Sequence, residues 1–273
     1  MRDLFRRADI DTPELDARLL AEAAFELNRL ELVTREREPA WGSGLQKLQA
    51  MAERRLRGEP VVRILGEKEF FGLRFELNAA TLVPRPETEL LVVKALALLE
   101  GRGRKRLLDL GTGTGCIAIS VLSENPTVQA VATDIVAEAL TMAQKNAEAH
   151  GVAKRLDLRQ GAWFEPLKKG ERFDVIVSNP PYIETETIKT LQIEVREHDP
   201  RLALDGGADG LDAYRVLVEG APAWLKRGGT LAVEIGKDQC QAVKALFTKA
   251  GFVDVVSEKD LAGLDRFVVG THS

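Results

Sequence analysis

The sequence LLDLGTGTG, residues 107–115, sets an apolar run directly before three alternating glycines. A short apolar run followed by such a turn signal predicts a buried strand that leads into a helix. Glycine lets the backbone approach a bound molecule because no Cβ stands in the way. Ligands of open α/β sheets bind outside the carboxyl ends of the strands. The stretch therefore indicates an α/β fold with a ligand site at this turn.

The spacing of the glycines distinguishes two kinds of nucleotide-binding turn. The dinucleotide fingerprint G-x-G-x-x-G would require glycine at position 116, where the sequence has Cys116. From Asp109 to Gly115 the sequence instead reads D-x-G-x-G-x-G, which resembles motif I of the class I S-adenosylmethionine-dependent methyltransferases. A lone glycine loop is also compatible with an ordinary strand–helix turn, so the interpretation depends on its neighbours.

Strand and helix patterns alternate from about residue 84 onward. Further strands are predicted at 128–133, 156–160, 173–178, 230–235, 252–256 and 266–269, and helices at 137–150 and 239–250. Strands separated by helices of this length predict a mostly parallel sheet that helices cover on both faces. We therefore predict an α/β domain over residues 84–273.

The first 83 residues have a different character. Leucine or alanine recurs at positions 15, 19, 23 and 27, and positions 20, 24 and 30 widen this apolar stripe, which predicts a helix with these side chains in the core. Residues 69–77 are rich in aromatic residues and alternate around a glycine, which predicts a β-hairpin. We therefore predict a small all-helical domain at residues 1–65 and a β-hairpin linker at residues 66–83.

The overall composition narrows the class of protein. The 273 residues are 45% hydrophobic and 29% charged, which is typical of a globular protein with a full core. The formal net charge is −4, whereas proteins that hold nucleic acid through its phosphates are usually basic. The two cysteines form no CxxC motif, so neither a disulfide framework nor a zinc site is indicated. With no signal-peptide pattern and no membrane-length apolar run, we expect a cytoplasmic protein that needs no metal.

An acid and an aromatic residue follow the next two predicted strands. Asp134 ends the second strand, where a carboxylate can accept hydrogen bonds from both ribose hydroxyls of an adenosine. The same side chain can cap the helix that follows, and the two roles are compatible. Trp163 follows the third strand, where its ring either meets an adenine or packs in the core. Both residues are expected beside the glycine loop.

The sequence SNPPYI, residues 178–183, follows the fourth predicted strand. A nitrogen conjugated to a π system is a poor nucleophile because its lone pair is delocalised. The Asn179 side-chain oxygen and the Pro180 carbonyl can accept hydrogen bonds from its two N–H groups and draw that lone pair toward a methyl group. Pro181 stiffens the turn, and Tyr182 can lie against the flat group. The stretch resembles motif IV of methyltransferases that act on planar nitrogens, with Asn179, Pro180 and Tyr182 as candidate catalytic residues.

Further stretches narrow the resemblance. They are FFG at 70–72, LVPRPETE at 82–89, EVREHDP at 194–200 with ALDGGADGL at 203–211, and GG at 228–229 through EIG at 234–236. Together with DLGTGTGCIAIS and NPPYI they closely resemble the HemK/PrmC family, the peptide chain release factor glutamine methyltransferases. The resemblance runs from about residue 10 to residue 270. It implies a small N-terminal all-α domain, a hairpin linker and a Rossmann-like class I methyltransferase sheet whose last strand is antiparallel.

The resemblance also implies a reaction and its residues. The family methylates the side-chain amide nitrogen of the glutamine in the Gly-Gly-Gln loop of class 1 release factors, with S-adenosyl-L-methionine as methyl donor. The donor is then expected at Asp109, Gly111, Thr112, Gly113, Thr114, Gly115, Asp134, Trp163 and Asn179. The glutamine is expected at Asn179, Pro180, Pro181 and Tyr182, with Arg85 and Glu87 near the site or in structural ion pairs. Ala162 stands where we expect a polar residue able to meet the adenine amino group.

The segment after the NPPY motif has only weak periodicity. It runs from Glu184 to about Asp212 and begins directly after SNPPYI. Connections of this length without regular structure are uncommon in compact domains and are usually functional. We therefore expect this segment to form part of the wall that receives the release factor loop.

The main alternative is a nucleic-acid N-methyltransferase that acts on adenine N6 or guanine N2. Such an enzyme shares motif I and the NPPY motif. It is expected to carry a basic surface or an RNA-binding module, which the net charge of −4 disfavours. We therefore expect class 1 release factors as the protein partner, with no direct contact to nucleic acid or membrane.

Overall fold

A computed structural model gives the architecture of the chain and describes residues 1–35, 37–39, 42–101, 103–260 and 262–273. These residues divide into two units, and each has its own hydrophobic core. The first unit comprises residues 1–67 and 192–198, and the second comprises residues 68–191 and 199–273.

Short helices make up the first unit, as predicted for the N-terminal part of the chain. They are α1 (Arg2–Arg7), α2 (Pro13–Phe25), α3 (Arg29–Thr34), α4 (Gly42–Leu56), α5 (Val61–Leu65) and, from the inserted segment, α9 (Ile193–Arg196). Their core contains Phe5, Leu20, Val61 and Ile64. Proline at the first position of α2 suits a helix start, because the N–H it lacks would have no partner within the helix.

Only part of the predicted apolar stripe of α2 is buried. Ala17, Leu20 and Ala24 are buried, whereas Leu15 and Ala23 face solvent. Four residues advance a helix about 40° beyond a full turn, so a strict fourfold repeat drifts away from the core. The predicted stripe is therefore confirmed at Leu20 and Ala24 and wrong at Leu15 and Ala23.

Buried ion pairs of Arg55 join residues 192–198 to the other helices of the first unit. The Arg55 guanidinium donates to Asp16 at 2.6 Å and pairs with Glu194, also at 2.6 Å. Arg55 and Asp16 are both nearly inaccessible to solvent. A buried guanidinium is tolerated only when its donors are paired, so these contacts fix residues 192–198 against α2 and α4.

Among the described residues, seven strands of the second unit form one sheet. They are β3 (Lys105–Leu110), β4 (Val128–Asp134), β5 (Leu156–Gln160), β6 (Phe173–Ser178), β7 (Leu225–Glu234), β8 (Val253–Lys259) and β9 (Asp265–Thr271). The strand order is β5-β4-β3-β6-β7-β9-β8. β9 pairs antiparallel with both β7 and β8, whereas the pairs from β5 to β7 are parallel. The predicted mostly parallel sheet with an antiparallel last strand is confirmed.

Helices cover both faces of this sheet. One layer contains residues of α6 (Glu89–Leu98), α7 (Cys116–Glu124) and α8 (Ala137–Ala149), and the other contains residues of α10 (Asp212–Gly220) and α11 (Cys240–Lys249). Leu107 belongs to the first layer and its neighbour Leu108 to the second. Successive residues of a strand point to opposite faces, so the unbroken apolar run of β3 is what a strand covered on both sides requires.

Two further parts of the second unit lie outside the large sheet. β1 (Glu67–Phe70) and β2 (Leu73–Glu76) form the predicted hairpin. The segment after β6 contains short 3₁₀ turns and a bridge between Ile183 and Asp205. No helix among the described residues has the length and apolar character needed to cross a bilayer.

Candidate active site

The loop between β3 and α7, here called the glycine loop (Gly111–Gly115), has a backbone that suits glycine. Gly111, Gly113 and Gly115 have φ angles of +72°, +55° and +81°. Such angles are costly for residues with a Cβ. A Cβ on Gly115 would also lie 2.7 Å from Ile119 Cδ1. The backbone N–H groups of Gly111 and Thr112 both donate to the Thr133 carbonyl, which fixes the loop against the end of β4.

Asp109 lies beneath the glycine loop and is fully buried. Its Oδ2 accepts hydrogen bonds from the Thr112 hydroxyl at 2.6 Å and from the Ala118 backbone N–H at 3.3 Å. Its Oδ1 is buried and has no hydrogen-bond partner among the described residues. Burial raises the pKa of Asp109 to about 6, against the lowering effect of these two donors. One acceptor position under the loop is therefore left for another group.

Asp134, at the end of β4, holds two backbone segments. Its Oδ2 accepts from the Gly113 N–H and its Oδ1 from the Val136 N–H, both at 2.9 Å. Burial raises the pKa of this carboxyl above its ordinary value. The same carboxylate thus fixes the middle of the glycine loop and the turn before α8, and it lines the cavity described below.

Trp163 adopts a strained backbone conformation beside the glycine loop. Its φ angle is +48°, which is unusual for a bulky residue. Its carbonyl accepts a hydrogen bond from the Thr133 hydroxyl at 2.9 Å. The ring atom Cζ3 lies 3.5 Å from the position that a Cβ on Gly111 would take. Strain of this kind clusters at functional sites, where the surrounding structure maintains it.

The residues Asn179–Tyr182, here called the Asn179 turn, follow β6 at the same edge of the sheet. The Asn179 side-chain Nδ2 donates to the Thr88 hydroxyl at 3.1 Å. The Thr88 hydroxyl donates in turn to Glu234 Oε2 at 2.6 Å. Thr88 and Glu234 are both buried, whereas Asn179 is partly exposed. The Asn179 amide is thus held from behind by side chains of two other segments.

The far end of the Asn179 turn is tied to a glycine-rich loop by Gln239, the residue directly before α11. Gln239 Nε2 donates to the carbonyls of Tyr182 and Gly210 at 2.9 and 3.1 Å. A Cβ on Gly206 would lie 2.8 Å from Tyr182 Cα, so the two loops approach as closely as glycine allows. Burial raises the pKa of the Tyr182 hydroxyl to about 12, so it stays protonated.

The acidic and basic residues of the PRPETE stretch have different surroundings. Arg85 lines the cavity and pairs with Asp199 at 2.6 Å. Glu87 lies 3.8 Å from Arg266. Glu89 Oε1 accepts from the backbone N–H of Phe71 at 2.9 Å and so ties α6 to the hairpin. All three residues therefore take part in polar contacts within the fold, and Arg85 also reaches the cavity.

One cavity of about 250 Å³ brings most of the predicted site residues together. Its wall includes Arg85, Gly111, Thr112, Gly113, Thr114, Asp134, Ala162, Trp163, Asn179 and Pro181. Pro180 is buried, Asp109 lies beneath the loop, and Tyr182 packs beside Gly206. Among the described residues, no group of three or more His, Cys, Asp or Glu side chains is arranged to hold a metal ion.

Sequence reasoning missed four residues that support this site. They are Thr88 and Glu234 behind Asn179, Gln239 behind Tyr182, and Asn146, whose Nδ2 donates to the Thr114 carbonyl at 3.0 Å. Thr88 and Glu234 lie in PRPETE and EIG, so the sequence signalled these stretches without giving their roles. Gln239 and Asn146 stand in helical patterns, where nothing in the sequence sets them apart.

The sheet order, the glycine loop, the acid at the end of β4 and the Asn179 turn define the class: this is an S-adenosylmethionine-dependent methyltransferase. Residues 87–207 match the Methyltransferase small domain model, and residues 1–66 match the PrmC N-terminal domain model. The chain is 45% identical to the release factor glutamine methyltransferase of Caulobacter vibrioides, over 100% of this chain and 94% of that one. It is also 45% identical to the protein of the same name from Agrobacterium fabrum, over 97% and 92% of the two chains. The chain belongs to the release factor glutamine methyltransferase family.

Solved structures of lower identity share the fold. The hMettl16 catalytic domain in complex with the MAT2A 3′UTR hairpin 6 matches with a TM-score of 0.63 and 16% identity, over 78% of this chain and 81% of that one. A methyltransferase from Pyrococcus furiosus matches with a TM-score of 0.57 and 20% identity, over 82% and 99%. Both support the methyltransferase fold of the second unit.

Proposed function

We propose that this protein methylates the side-chain amide nitrogen (N5) of the glutamine in the Gly-Gly-Gln loop of class 1 peptide chain release factors, and so modulates translation termination. S-adenosyl-L-methionine is the methyl donor and S-adenosyl-L-homocysteine the second product. The observation that carries this proposal is the single cavity whose wall includes both Asn179 and the glycine loop. Relatives named for this activity along the whole chain support the choice of substrate.

The residues on the donor side fit S-adenosyl-L-methionine. The unpartnered Oδ1 of Asp109 offers an acceptor under the loop, and a Cβ on Gly113 would meet nothing within 4 Å, so the backbone there opens onto free space. The Asp134 carboxylate suits ribose hydroxyls, and the Trp163 ring suits an adenine. We assign donor binding to Asp109, Gly111, Thr112, Gly113, Thr114, Gly115, Asp134, Trp163 and Asn179. When bound, the donor supplies an electrophilic methyl group on a sulfonium.

The Asn179 turn handles the acceptor nitrogen. The Asn179 side-chain oxygen and the Pro180 carbonyl accept hydrogen bonds from its two N–H groups, which makes the lone pair more available. The rigid Pro180–Pro181 pair and the ring of Tyr182 hold the amide plane. Positioning of this kind can supply about 7–11 kcal/mol of the barrier in favourable cases. Asn179, Pro180 and Tyr182 are therefore assigned the catalytic work.

The release factor is the proposed partner, and the cytoplasm is the proposed compartment. Arg85 is 38% exposed at the cavity wall, where its guanidinium can meet the incoming loop, and Glu87 lies close by in sequence. The net charge of −4 gives no general attraction to nucleic acid. Cys116 and Cys240 are both buried free thiols, as expected in a reducing compartment.

The test is transfer of radiolabelled methyl groups from S-adenosyl-L-methionine to purified class 1 release factor, beside tRNA, rRNA and DNA. A release factor whose loop glutamine is replaced serves as the matched control. Label on the intact factor alone is the expected result. Label on nucleic acid would instead point to a nucleic-acid N-methyltransferase, and equal label on the replaced factor would refute the glutamine as the target.

A further inference from the structure

The hydrogen bonds behind Asn179 form a chain from the cavity wall into the core. Asn179 Nδ2 donates to Thr88 Oγ1 at 3.1 Å, and the Thr88 hydroxyl donates to Glu234 Oε2 at 2.6 Å. Asn179 follows β6, Thr88 precedes α6 and Glu234 ends β7. Thr88 is 1% exposed and Glu234 is 4% exposed, so water does not compete for these bonds. Glu234 therefore acts on the cavity only through its neighbours.

The hydrogen bonds from Asn179 through Thr88 to Glu234 determine which end of the Asn179 amide faces Thr88. An ionised carboxylate only accepts hydrogen bonds, and a threonine hydroxyl has a single proton. When the Thr88 hydroxyl donates its hydrogen bond to Glu234, the Thr88 oxygen can only accept a further hydrogen bond. The Asn179 amide must then turn its NH₂ group toward Thr88. The side-chain oxygen of Asn179 then points away from Thr88 and is free to accept a hydrogen bond.

We propose that Glu234 is a positioning residue which, through Thr88, fixes the orientation of the Asn179 amide so that its oxygen meets the N–H groups of the substrate amide. The inference rests on the proposed function for its consequence in catalysis. The inference goes beyond the proposed function because it assigns the orientation of the Asn179 amide to an ionised carboxylate that touches neither substrate nor donor. Without this carboxylate, the two orientations of the Asn179 amide differ little in energy. About half of the molecules would then present the NH₂ group to the substrate, which is a donor where an acceptor is needed.

Protonation of Glu234 reverses the polarity of the chain. The neutral acid can donate to the Thr88 oxygen, which frees the threonine proton to point at Asn179. Only the oxygen of the Asn179 amide can accept this hydrogen bond, so the amide turns its oxygen toward Thr88 and its NH₂ group toward the substrate. The enzyme is thus expected to be active with Glu234 ionised and to lose activity as this group takes up a proton.

Several groups act on the titration of Glu234. The pKa of Glu234 is raised to about 7, chiefly by burial and also by the negative charge of Glu87, while hydrogen bonds from Thr88 and Asn179 and the positive charge of Arg266 act in the opposite direction. The other titratable groups that face it are Tyr182, Tyr214 and Cys116. Burial raises the pKa of all three, so they stay neutral in this range. Glu234 is therefore the group among them whose protonation changes near neutral pH.

The first test is the pH dependence of kcat at saturating release factor and donor. In the wild-type enzyme kcat is expected to fall as the pH drops through about 7. Glu234→Gln is expected to lower kcat at least tenfold at pH 8, to leave KM for the donor within about twofold, and to remove the acid limb. Thr88→Val is expected to do the same, and Thr88→Ser to restore most of the rate and the limb. Asp174→Asn, which removes an acid paired with Lys226 on the neighbouring strand, is the control and keeps both.

The second test needs no turnover. In ¹⁵N-labelled protein, the side-chain NH₂ signals of Asn179, assigned by their loss in Asn179→Ala, are expected to shift with an apparent pKa near 7. The shift is expected to be full in the wild type and in Thr88→Ser, reduced in Thr88→Val, which keeps only the contact between Asn179 and Glu234, and absent in Glu234→Gln. The reduced shift in Thr88→Val tests the inference even where Glu234→Gln fails to fold.

The possible outcomes separate this inference from the proposed function. An NH₂ titration in a protein that methylates no release factor would leave the inference standing and refute the proposed function. Methylation of the release factor with an acid limb that survives in Glu234→Gln, or with NH₂ signals that do not move, would refute the inference alone. Thr88→Ser that behaves like Thr88→Val would also refute it, because the hydroxyl is what the two residues differ in.

Discussion

The glycine loop and the Asn179 turn face the same cavity, yet different contacts hold them in place. The loop is held through its backbone, by angles available to glycine, by bonds to the Thr133 carbonyl, and by the side chains of Asp134 and Asn146, which bind its N–H and C=O groups. The Asn179 amide is fixed by side chains from elsewhere in the sequence, since Thr88 is 91 residues away. Two motifs that look equally compact in sequence therefore differ in what the fold holds, the backbone in the glycine loop and one side-chain amide at Asn179.

This difference predicts two kinds of failure. Changes in the glycine loop alter the backbone, so they are expected to affect folding and donor binding together. Changes at the Asn179 turn alter one polar group on a scaffold that persists, so they are expected to affect the rate far more than donor binding, because the other residues assigned to the donor are unchanged. Variants of the two regions therefore test the comparison directly.

The largest effect is expected for Asn179→Ala. Removing the amide deletes one of the two proposed acceptors for the substrate N–H groups. Loss of one preorganised polar group in an active site typically costs about 10²–10³-fold in kcat. We expect that loss in methyl transfer to the release factor, with the donor dissociation constant changed by less than about threefold in calorimetry.

Asn125→Ala is the control for this substitution, because Asn125 caps a turn near the start of β4, at the opposite edge of the sheet. Its kcat is expected to match the wild type. An equal loss of donor binding and rate in Asn179→Ala would contradict the separation of the two regions.

The next effect is expected in the glycine loop, where Gly115→Ala and Gly113→Ala form a matched pair. Both positions have positive φ angles, which cost an alanine about 1–2 kcal/mol. The new methyl of Gly115→Ala would also press against Ile119, and such overpacking costs about 1–3 kcal/mol more. Chemical denaturation is therefore expected to show a loss of about 2–5 kcal/mol for Gly115→Ala.

Gly113→Ala is expected to remain closer to wild-type stability and to lose donor affinity, because its methyl meets no protein atom within 4 Å and enters open space. Calorimetric titration with the donor measures this. Equal destabilisation by the two substitutions would show that backbone strain outweighs the contact with Ile119.

A smaller effect is expected from the acid beneath the loop. The pKa of Asp109 is raised to about 6 by burial, above its ordinary value, so the folded state favours the protonated form. The stability that this group contributes is present below its unfolded pKa, near 4, and is lost as the pH rises through about 6. Asp109→Asn has no such loss. Between pH 4 and pH 8 its free energy of unfolding is therefore expected to rise by roughly 2–3 kcal/mol relative to that of the wild type.

Denaturant midpoints of both proteins across this range measure the difference. A constant cost of burying the new amide would shift the curve of the variant without changing its slope. Parallel curves for the two proteins would show that Asp109 titrates in the folded state as it does in the unfolded chain.

Local patterns account for what the sequence predicted, and long-range contacts account for what it did not. The strands and the glycine loop follow from apolar runs and glycine spacing, which are properties of neighbouring residues. Thr88 and Glu234 meet because the fold brings together residues 146 positions apart, and no periodicity records that approach. Tertiary packing also decides which edge of an apolar stripe is buried, so the stripe of α2 was right at Leu20 and Ala24 and wrong at Leu15 and Ala23.

The smallest effect is expected for Tyr182→Phe, which separates the ring of the Asn179 turn from its hydroxyl. The pKa of this hydroxyl is raised to about 12, so the substitution removes no charge at any working pH. A flat ring against the substrate amide is retained, and a neutral hydrogen bond contributes only about 0.5–1.5 kcal/mol when one is lost. We expect kcat to change by less than about threefold, whereas Tyr182→Ala is expected to lose at least about tenfold because the ring itself is gone. A tenfold loss in Tyr182→Phe would mean that the hydroxyl, rather than the face of the ring, contacts the substrate, and the Asn179 turn would then supply a third polar group.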